Sequence, residues 1–425
     1  MSDSISSTTE HIFREKYGEI LAALLRSSGY DHFDLAEEAV QVAFQRALEK
    51  WITGLPDNPG GWLYAVAKNA FLESLRRTKT EGQKYEQIQR EVELIDHHSS
   101  FEANPENVLD DLAAMILLCC NPELNPKAQV CITLKSACGF SVKEIARALG
   151  MQEEATKKII SRAKGKIEED HEVFQELNNE KITERFSFVL EALYAMFTEG
   201  YSASGGESQL RKDIAEDAIR LANVFLGTSL TPYERKGELH ALIALMLFQF
   251  ARFDSRSEDS GLPIRLQEQD RTMWNRNLIH AGLLALKESQ SSQSPTVFHL
   301  EARIAAEHAT SPSFDKTDWK TILKTYNELL GLKDTPEVRT SRIVSLKYAK
   351  GWKQALAELD ALEASMQKEK VMTVPRSFLI HAVRADLLEA GGKQDEASSE
   401  WKKARDHAPT KADQNFVEKK LDEFS

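Results

Sequence analysis

Strand signals are nearly missing from this chain, and that constrains its fold more than any other feature. Alternating β-branched runs bounded by Asn-Gly or Asp-Gly turns do not occur in its 425 residues. Apolar residues instead recur with a period near 3.6, segment after segment. The expected fold class is all-α. Helices are expected near 9–27, 33–52, 59–78, 105–120, 126–138, 142–149 and 153–172, then at 184–198, 209–226 and 233–252 and onward to the C-terminus. Several carry start signals. Asn58-Pro59, Asn104-Pro105 and Asn125-Pro126 each set a capping residue before a proline, whose missing N–H would be unpaired in the first turn anyway. Ser141 and Glu144 have the spacing of a capping box.

A chain this long exceeds one core, so two to four domains are expected. No apolar run approaches the roughly 18–20 residues of a membrane span. The N-terminus has neither a basic start nor an apolar core, which argues against a signal peptide. Four cysteines do not make a disulfide scaffold and fit a reducing cytoplasm. Cys119, Cys120, Cys131 and Cys138 lack zinc-site spacing and read as small buried hydrophobes. The net charge of −12 argues against a positively coated surface, but the charge is uneven. Residues 91–111 hold Glu91, Glu93, Asp96, Glu102, Glu106, Asp110 and Asp111 and no Lys or Arg. That run reads as a solvated tether, or as a strand that mimics nucleic acid or threads a basic channel.

Two basic islands stand against this background. Residues 68–90 carry a net +3. In the helix at 59–78, Leu63, Ala67, Ala70 and Phe71 form the core stripe, while Trp62, Asn69 and Arg76 recur every seven residues on another face, flanked by Lys68 and Arg77. An aromatic beside Asn and Arg suits unstacked bases and phosphates; a Trp buried between helices is the other reading. In the preceding helix, Asp34, Glu37, Glu38, Gln41, Gln45 and Glu49 line one stripe and Ala36, Ala39, Val40, Ala43 and Ala47 the other. The small residues allow close helix approach; the polar stripe is either solvated or docks on a basic partner. The second island, 141–166, carries a net +4 and has the form of a helix-turn-helix. Ile145, Ala146 and Leu149 face inward, Gly150 makes the turn, and Thr156, Ile160, Ala163 and Ile167 make the second buried stripe. Lys157, Lys158, Ser161, Arg162 and Lys164 fall opposite. Such units place the second helix in the major groove, with cations on phosphates and polar side chains on base edges.

These residues resemble a known family. Asp34-Leu-Ala-Glu-Glu-Ala-Val-Gln41-Val-Ala-Phe44, then Pro59-x-x-Trp62-Leu-Tyr-x-Val-Ala-x-Asn69, then Leu75-Arg76-Arg77 resemble region 2 of sigma-70-type initiation factors of the extracytoplasmic-function group. Residues 141–167 are similar to region 4. The resemblance implies a cytoplasmic promoter-specificity subunit of bacterial RNA polymerase, with no enzymatic activity, cofactor or metal of its own. It implies region 2 at 9–90, the acidic linker at 91–111 running through the polymerase, and region 4 at 112–172. Asp34, Glu38, Gln41 and Phe44 would meet the core enzyme at its β′ clamp. The loop 53–58 with Asn58, and Trp62, Lys68, Asn69, Arg76 and Arg77, would hold the −10 element's non-template strand. Lys143, Arg147, Lys157, Lys158, Ser161, Arg162 and Lys164 would face the −35 element, region 4 also meeting the β flap. Two positions depart from the pattern: Ile159 stands where the family often has Arg, and Cys119-Cys120-Asn121-Pro122 replaces a Cys-Cys-His-Pro run.

The C-terminal half is expected as a helical extension at 183–288 followed by hairpins at 289–425. Glu199-Gly-Tyr-Ser-Ala-Ser-Gly-Gly206 resembles a segment of a subgroup that continues into tetratricopeptide-like helices. Ala397, Trp401, Ala404 and Pro409 carry the offsets of one such unit; Gly351, Ala355 and Leu359 make a weaker copy. His299, Glu301 and His308 match no zinc helix, which needs two His at i and i+4. The cluster from Gln267 to Arg271 reads as a helix N-terminal segment or as a contact to the DNA-binding domains. The extension is expected to regulate the factor through intramolecular contacts, so truncation after about residue 175 should change activity. Two rivals remain: a stand-alone helix-turn-helix regulator with a ligand- or peptide-sensing tetratricopeptide-like half, and a helical enzyme.

Overall fold

The structure, a computed structural model, describes residues 2–80, 105–175, 179–201, 208–256, 264–292 and 294–424. Among them there are α-helices and short 3-10 turns but no strand. The N-terminal helices are α1 (Ser2–Ser28), α2 (Phe33–Lys50), α3 (Pro59–Thr80), α4 (Pro105–Cys119), α5 (Pro126–Ala137), α6 (Val142–Ala148), α7 (Glu153–Gln175), α8 (Asn179–Tyr201) and α9 (Ser208–Leu226). Then follow α10 (Lys236–Phe250), α11 (Arg276–Glu288), α12 (Val297–Thr310), α13 (Trp319–Leu330), α14 (Pro336–Lys350), α15 (Trp352–Lys368), α16 (Val374–Ala390), α17 (Gln394–Asp406) and α18 (Lys411–Asp422). Local capping explains the starts. Asn58 Oδ1 accepts from the Gly61 N–H at 2.9 Å and Asn125 Oδ1 from the Ala128 N–H at 2.9 Å. The Ser141–Glu144 box closes in both directions. Asn104 lies outside the described residues.

The chain divides into two compact units, Met1–Gly200 with Ser208–Arg235, and Tyr201–Glu207 with Lys236–Ser425. The segment 183–288 therefore contributes to both. In the first unit α1 touches α2, α3, α4 and α5. Its core takes Tyr17, Leu21 and Leu25 from α1, Phe33 and Val40 from α2, and Leu63, Phe71 and Leu75 from α3, all buried. Each such side chain contributes about 1.5–3 kcal/mol by leaving water. The alanines of α2 are buried as their spacing predicts and let α3 lie close.

The acidic run is not one continuous tether. Helix α4 begins at Pro105, so Asp110 and Asp111 are helical. Asp111 pairs with Arg26, and Asp110 accepts from the Ser229 N–H and hydroxyl, both at 3.0 Å. Residues 91–104 lie outside the described residues. The four cysteines are free and buried. Burial pushes their thiols up, Cys131 to about 11 and Cys120 to about 12.

In the second unit, α10 is apolar on nearly every side and lies against α11 and α12. The later helices pack on their chain neighbours, α13 on α14, α15 on α16, α16 on α17 and α17 on α18. The histidines read from sequence have structural places. His299 Nδ1 accepts from the Thr296 N–H at 3.1 Å and Nε2 lies 3.1 Å from the Ser289 carbonyl, so His299 caps α12. Arg271, in the Gln267–Arg271 cluster, donates to the His308 and Ser311 carbonyls at 2.7 and 2.6 Å, closing the other end of α12.

Burial, then Arg252 and Arg271, push His308 down to about 4. A depressed histidine stabilises the fold above its unfolded value near 6.5, and that contribution is lost as pH falls from about 6.5 to about 4. The loss amounts to at most about 3 kcal/mol. Amide protection factors in α12, taken relative to the intrinsic exchange rate at each pH, should therefore fall over that window, and His308→Gln should flatten the dependence. An identical pH profile in the variant would refute this.

Candidate nucleic-acid interface

The helix-turn-helix is built from α6 and α7. Gly150 sits between them at φ +60°, a left-handed conformation that other residues adopt only under strain. The Met151 N–H donates to the Ala146 carbonyl at 2.8 Å and closes the turn. Ile145, Leu149, Thr156, Ile160, Ala163 and Ile167 are buried as the stripe requires. Lys143, Arg147, Lys157, Lys158, Ser161 and Arg162 are exposed. These six share the solvent side of the motif, which allows phosphate and base-edge contacts.

Lys164 departs from its expected place. Only 14% of its side chain is exposed, and its ammonium lies 2.6 Å from Asp34 Oδ1 and 2.7 Å from Glu37 Oε2. The helix geometry gives the reason. Seven residues after Lys157, the face has drifted about 20° toward the buried stripe, which brings Lys164 against α2. Burial disfavours its charge, but Glu37 and Asp34 outweigh that and raise its pKa.

On α3, Asn69, Arg76 and Arg77 are exposed, and Lys68 and Trp62 are half-buried. Arg77 pairs with Glu73 one turn back. The Trp62 ring stands 5.5 Å from that of buried Trp51. It is neither fully buried between helices nor free of them, and part of it remains in solvent. Asn58 is exposed beside it, although its side chain caps α3. Ile52 and Leu55 are also exposed, in or just before the loop.

The polar stripe of α2 holds in part. Glu38, Gln41, Gln45 and Glu49 are exposed, but Glu37 is only 7% exposed and faces Lys135 as well as Lys164. Phe44, expected among the partner contacts, is a core residue. It is 4% exposed, edge-on to Phe13 at 4.5 Å, and positions α2 rather than presenting a surface. Among the described residues no cluster of His, Cys, Asp or Glu has the geometry of a metal site, and no helix is long and apolar enough to cross a membrane.

Comparison with known proteins supplies the context. Residues 13–81 match the sigma-70 region 2 family, 114–167 the sigma-70 region 4 family, and 185–290 a family of unknown function, DUF6596. An uncharacterized protein of Rhizobium meliloti is 30% identical over 409 residues, covering 96% of this chain and 93% of that one. The ECF RNA polymerase sigma factor BldN of Streptomyces coelicolor is 30% identical over 133 residues, 30% of this chain and 47% of BldN. The probable ECF RNA polymerase sigma factor SigI of Mycobacterium tuberculosis is 27% identical over 135 residues, 32% of this chain and 46% of SigI. The match thus spans about half the length of these two sigma factors. No solved structure matches the chain.

Proposed function

Because this chain belongs to one family with the Rhizobium meliloti protein and carries sigma-70 regions 2 and 4, we propose that it is a bacterial RNA polymerase sigma factor of the extracytoplasmic-function group. The observation that carries the reading is the helix-turn-helix, with its apolar stripe buried and Lys157, Lys158, Ser161 and Arg162 in solvent. Region 4 binds the −35 element through that face and meets the polymerase β flap. Region 2 meets the β′ clamp through Asp34, Glu38 and Gln41. The non-template strand of the −10 element lies along Asn58, Trp62, Lys68, Asn69, Arg76 and Arg77. Bases leave the duplex because the separated strand is bound more tightly than the paired one, while synthesis belongs to the polymerase. The protein works in the cytoplasm, and the later helices form a tetratricopeptide-like array that regulates it.

Promoter-dependent run-off transcription by the purified chain with core polymerase tests this. Duplex binding without polymerase, and no stimulation of transcription, would instead favour a stand-alone regulator. Truncation after residue 175 removes α8 and α9 as well as the second unit and should change run-off activity; equal activity of both chains would refute a regulatory extension.

A further inference from the structure

The second unit gathers cations and N–H groups that no carboxylate or acceptor among the described residues answers. Arg252 follows α10, Arg271 opens the 3-10 turn Arg271–Met273, Arg276 begins α11, and His308 stands in the last turn of α12. The Asn275 N–H donates to the Ala251 carbonyl at 2.8 Å, and Arg276 donates to the Arg271 carbonyl at 3.3 Å. These bonds tie the turn to the end of α10 and the start of α11.

Arg271 lies at the centre and is only 9% exposed. Its Nη1 is held on the His308 and Ser311 carbonyls, so the guanidinium cannot turn away. Its other terminal nitrogen, Nη2, is sealed from water and has no hydrogen-bond partner among the described residues. The centre of the Trp274 ring lies 4.7 Å from the guanidinium carbon. The Trp274 indole nitrogen and His308 Nδ1 are also buried without a partner. A buried polar group left unpaired costs about 1–3 kcal/mol, and native folds carry few of them. Here three belong to one turn and the helix end bonded to it.

The charge is unanswered as well. Arg252 donates to the Tyr201 hydroxyl at 2.9 Å and Arg276 to a carbonyl, and among the described residues neither they nor Arg271 pair with a carboxylate. Burial, then Arg252 and Arg276, push the Arg271 guanidinium down. Asp270, next in the chain, is exposed, and its Oδ1 accepts from the Thr272 N–H and hydroxyl at 2.8 and 2.7 Å. Water accepts N–H bonds but leaves such charges uncompensated. A phosphoryl group does both: it brings about two negative charges and three strong acceptor oxygens, and guanidinium edges match its geometry.

We propose that Arg252, Arg271, Arg276, the Trp274 indole N–H and His308 Nδ1 form a binding site for a phosphoryl group, either free phosphate or the phosphate of a small metabolite. Arg271 Nη2 and the Trp274 N–H are its fixed floor. Arg276 is exposed and Arg252 half-buried. Both are long side chains on the solvent side, and their movement admits the anion to donors otherwise sealed from water. The site lies wholly in the second unit and does not depend on the sigma-factor reading.

The test is calorimetric titration of the full chain with inorganic phosphate and, separately, with adenosine monophosphate, at neutral pH and constant ionic strength. Arg276→Ala should weaken binding about 10-fold, as loss of one charge-assisted hydrogen bond implies. Trp274→Phe keeps a ring, removes the N–H and should weaken binding several-fold. The Trp274 indole N–H signal in a nitrogen–proton correlation spectrum, assigned by its loss in that variant, should move downfield on titration. That signal reads the site in the wild type and serves if Arg276→Ala does not fold. Tighter binding of the nucleotide makes a phosphorylated metabolite the ligand; tighter binding of phosphate makes it the free ion. No binding and no movement of the Trp274 signal with either anion overturns the proposal. So does an equal response to chloride or to adenosine, or unchanged affinity in both variants. Binding seen only after Glu258→Gln with Asp259→Asn also overturns it, since the chain itself would then supply the counter-charge.

Discussion

Replacing Lys157, Lys158 and Arg162 together by alanine is expected to lower promoter binding by the polymerase complex about 100-fold and to reduce the salt dependence by about three released counterions. All three are exposed on α7. None is in an ion pair or side-chain hydrogen bond among the described residues, so their removal leaves the fold intact. If each holds a phosphate worth about 1 kcal/mol, the three sum to about 3 kcal/mol, and each 1.4 kcal/mol is tenfold. Mobility-shift titrations at several salt concentrations, with melting curves as control, measure both quantities. Lys164→Ala provides the contrast. Its cation faces Asp34 and Glu37, so the free chain should lose ion-pair stability rather than DNA contact. Wild-type affinity and slope in the triple variant would remove α7 from the interface.

The helix starts were legible because their causes are local. Asn58, Asn125 and Ser141 bond backbone groups within three residues of themselves, and such pairs can be read from spacing alone. The two faces of α3 and the stripe of α7 were legible for the same reason, since one helix supplies the period. What spacing does not reveal is which helices meet across long stretches of chain. Lys164 and Asp34 are 130 residues apart, and periodicity put each on a solvent face. Asp110 and Asp111 read as linker charge in sequence, whereas in the fold Arg26, Thr228 and Ser229 stand beside them. Phe44 belongs with Val40 and Ala43 in the buried stripe, and a place in a family motif does not reveal which side of the helix a residue takes. Gly18 lies inside an otherwise regular helical pattern, where glycine costs about 1 kcal/mol relative to alanine, and its packing against the Ala137 backbone is the reason the helix carries it.

Trp401→Ala is expected to destabilise the second unit by about 3–5 kcal/mol. The indole is 2% exposed and clusters with Ala385 of α16 and Val417 of α18, with the Phe416 ring edge-on at 6.1 Å. Its N–H donates to the half-buried Glu389 carboxylate. Ala397 and Ala404, four residues before and three after it, are fully buried; with no bulk of their own to refill the space, they leave a cavity rather than a collapse. Trp401→Phe keeps most of the ring and loses the hydrogen bond, so about 1–2 kcal/mol should suffice for it. The pattern of loss carries more than its size. In the second half of the unit each helix packs chiefly on its chain neighbours, and in such arrays stability is a sum of nearest-neighbour terms. Hydrogen exchange in Trp401→Ala should therefore quicken first in α16, α17 and α18, while α13 and α14 keep their protection. Uniform loss across the unit would mean one cooperative block, and would rule out a tetratricopeptide-like array as its organising principle.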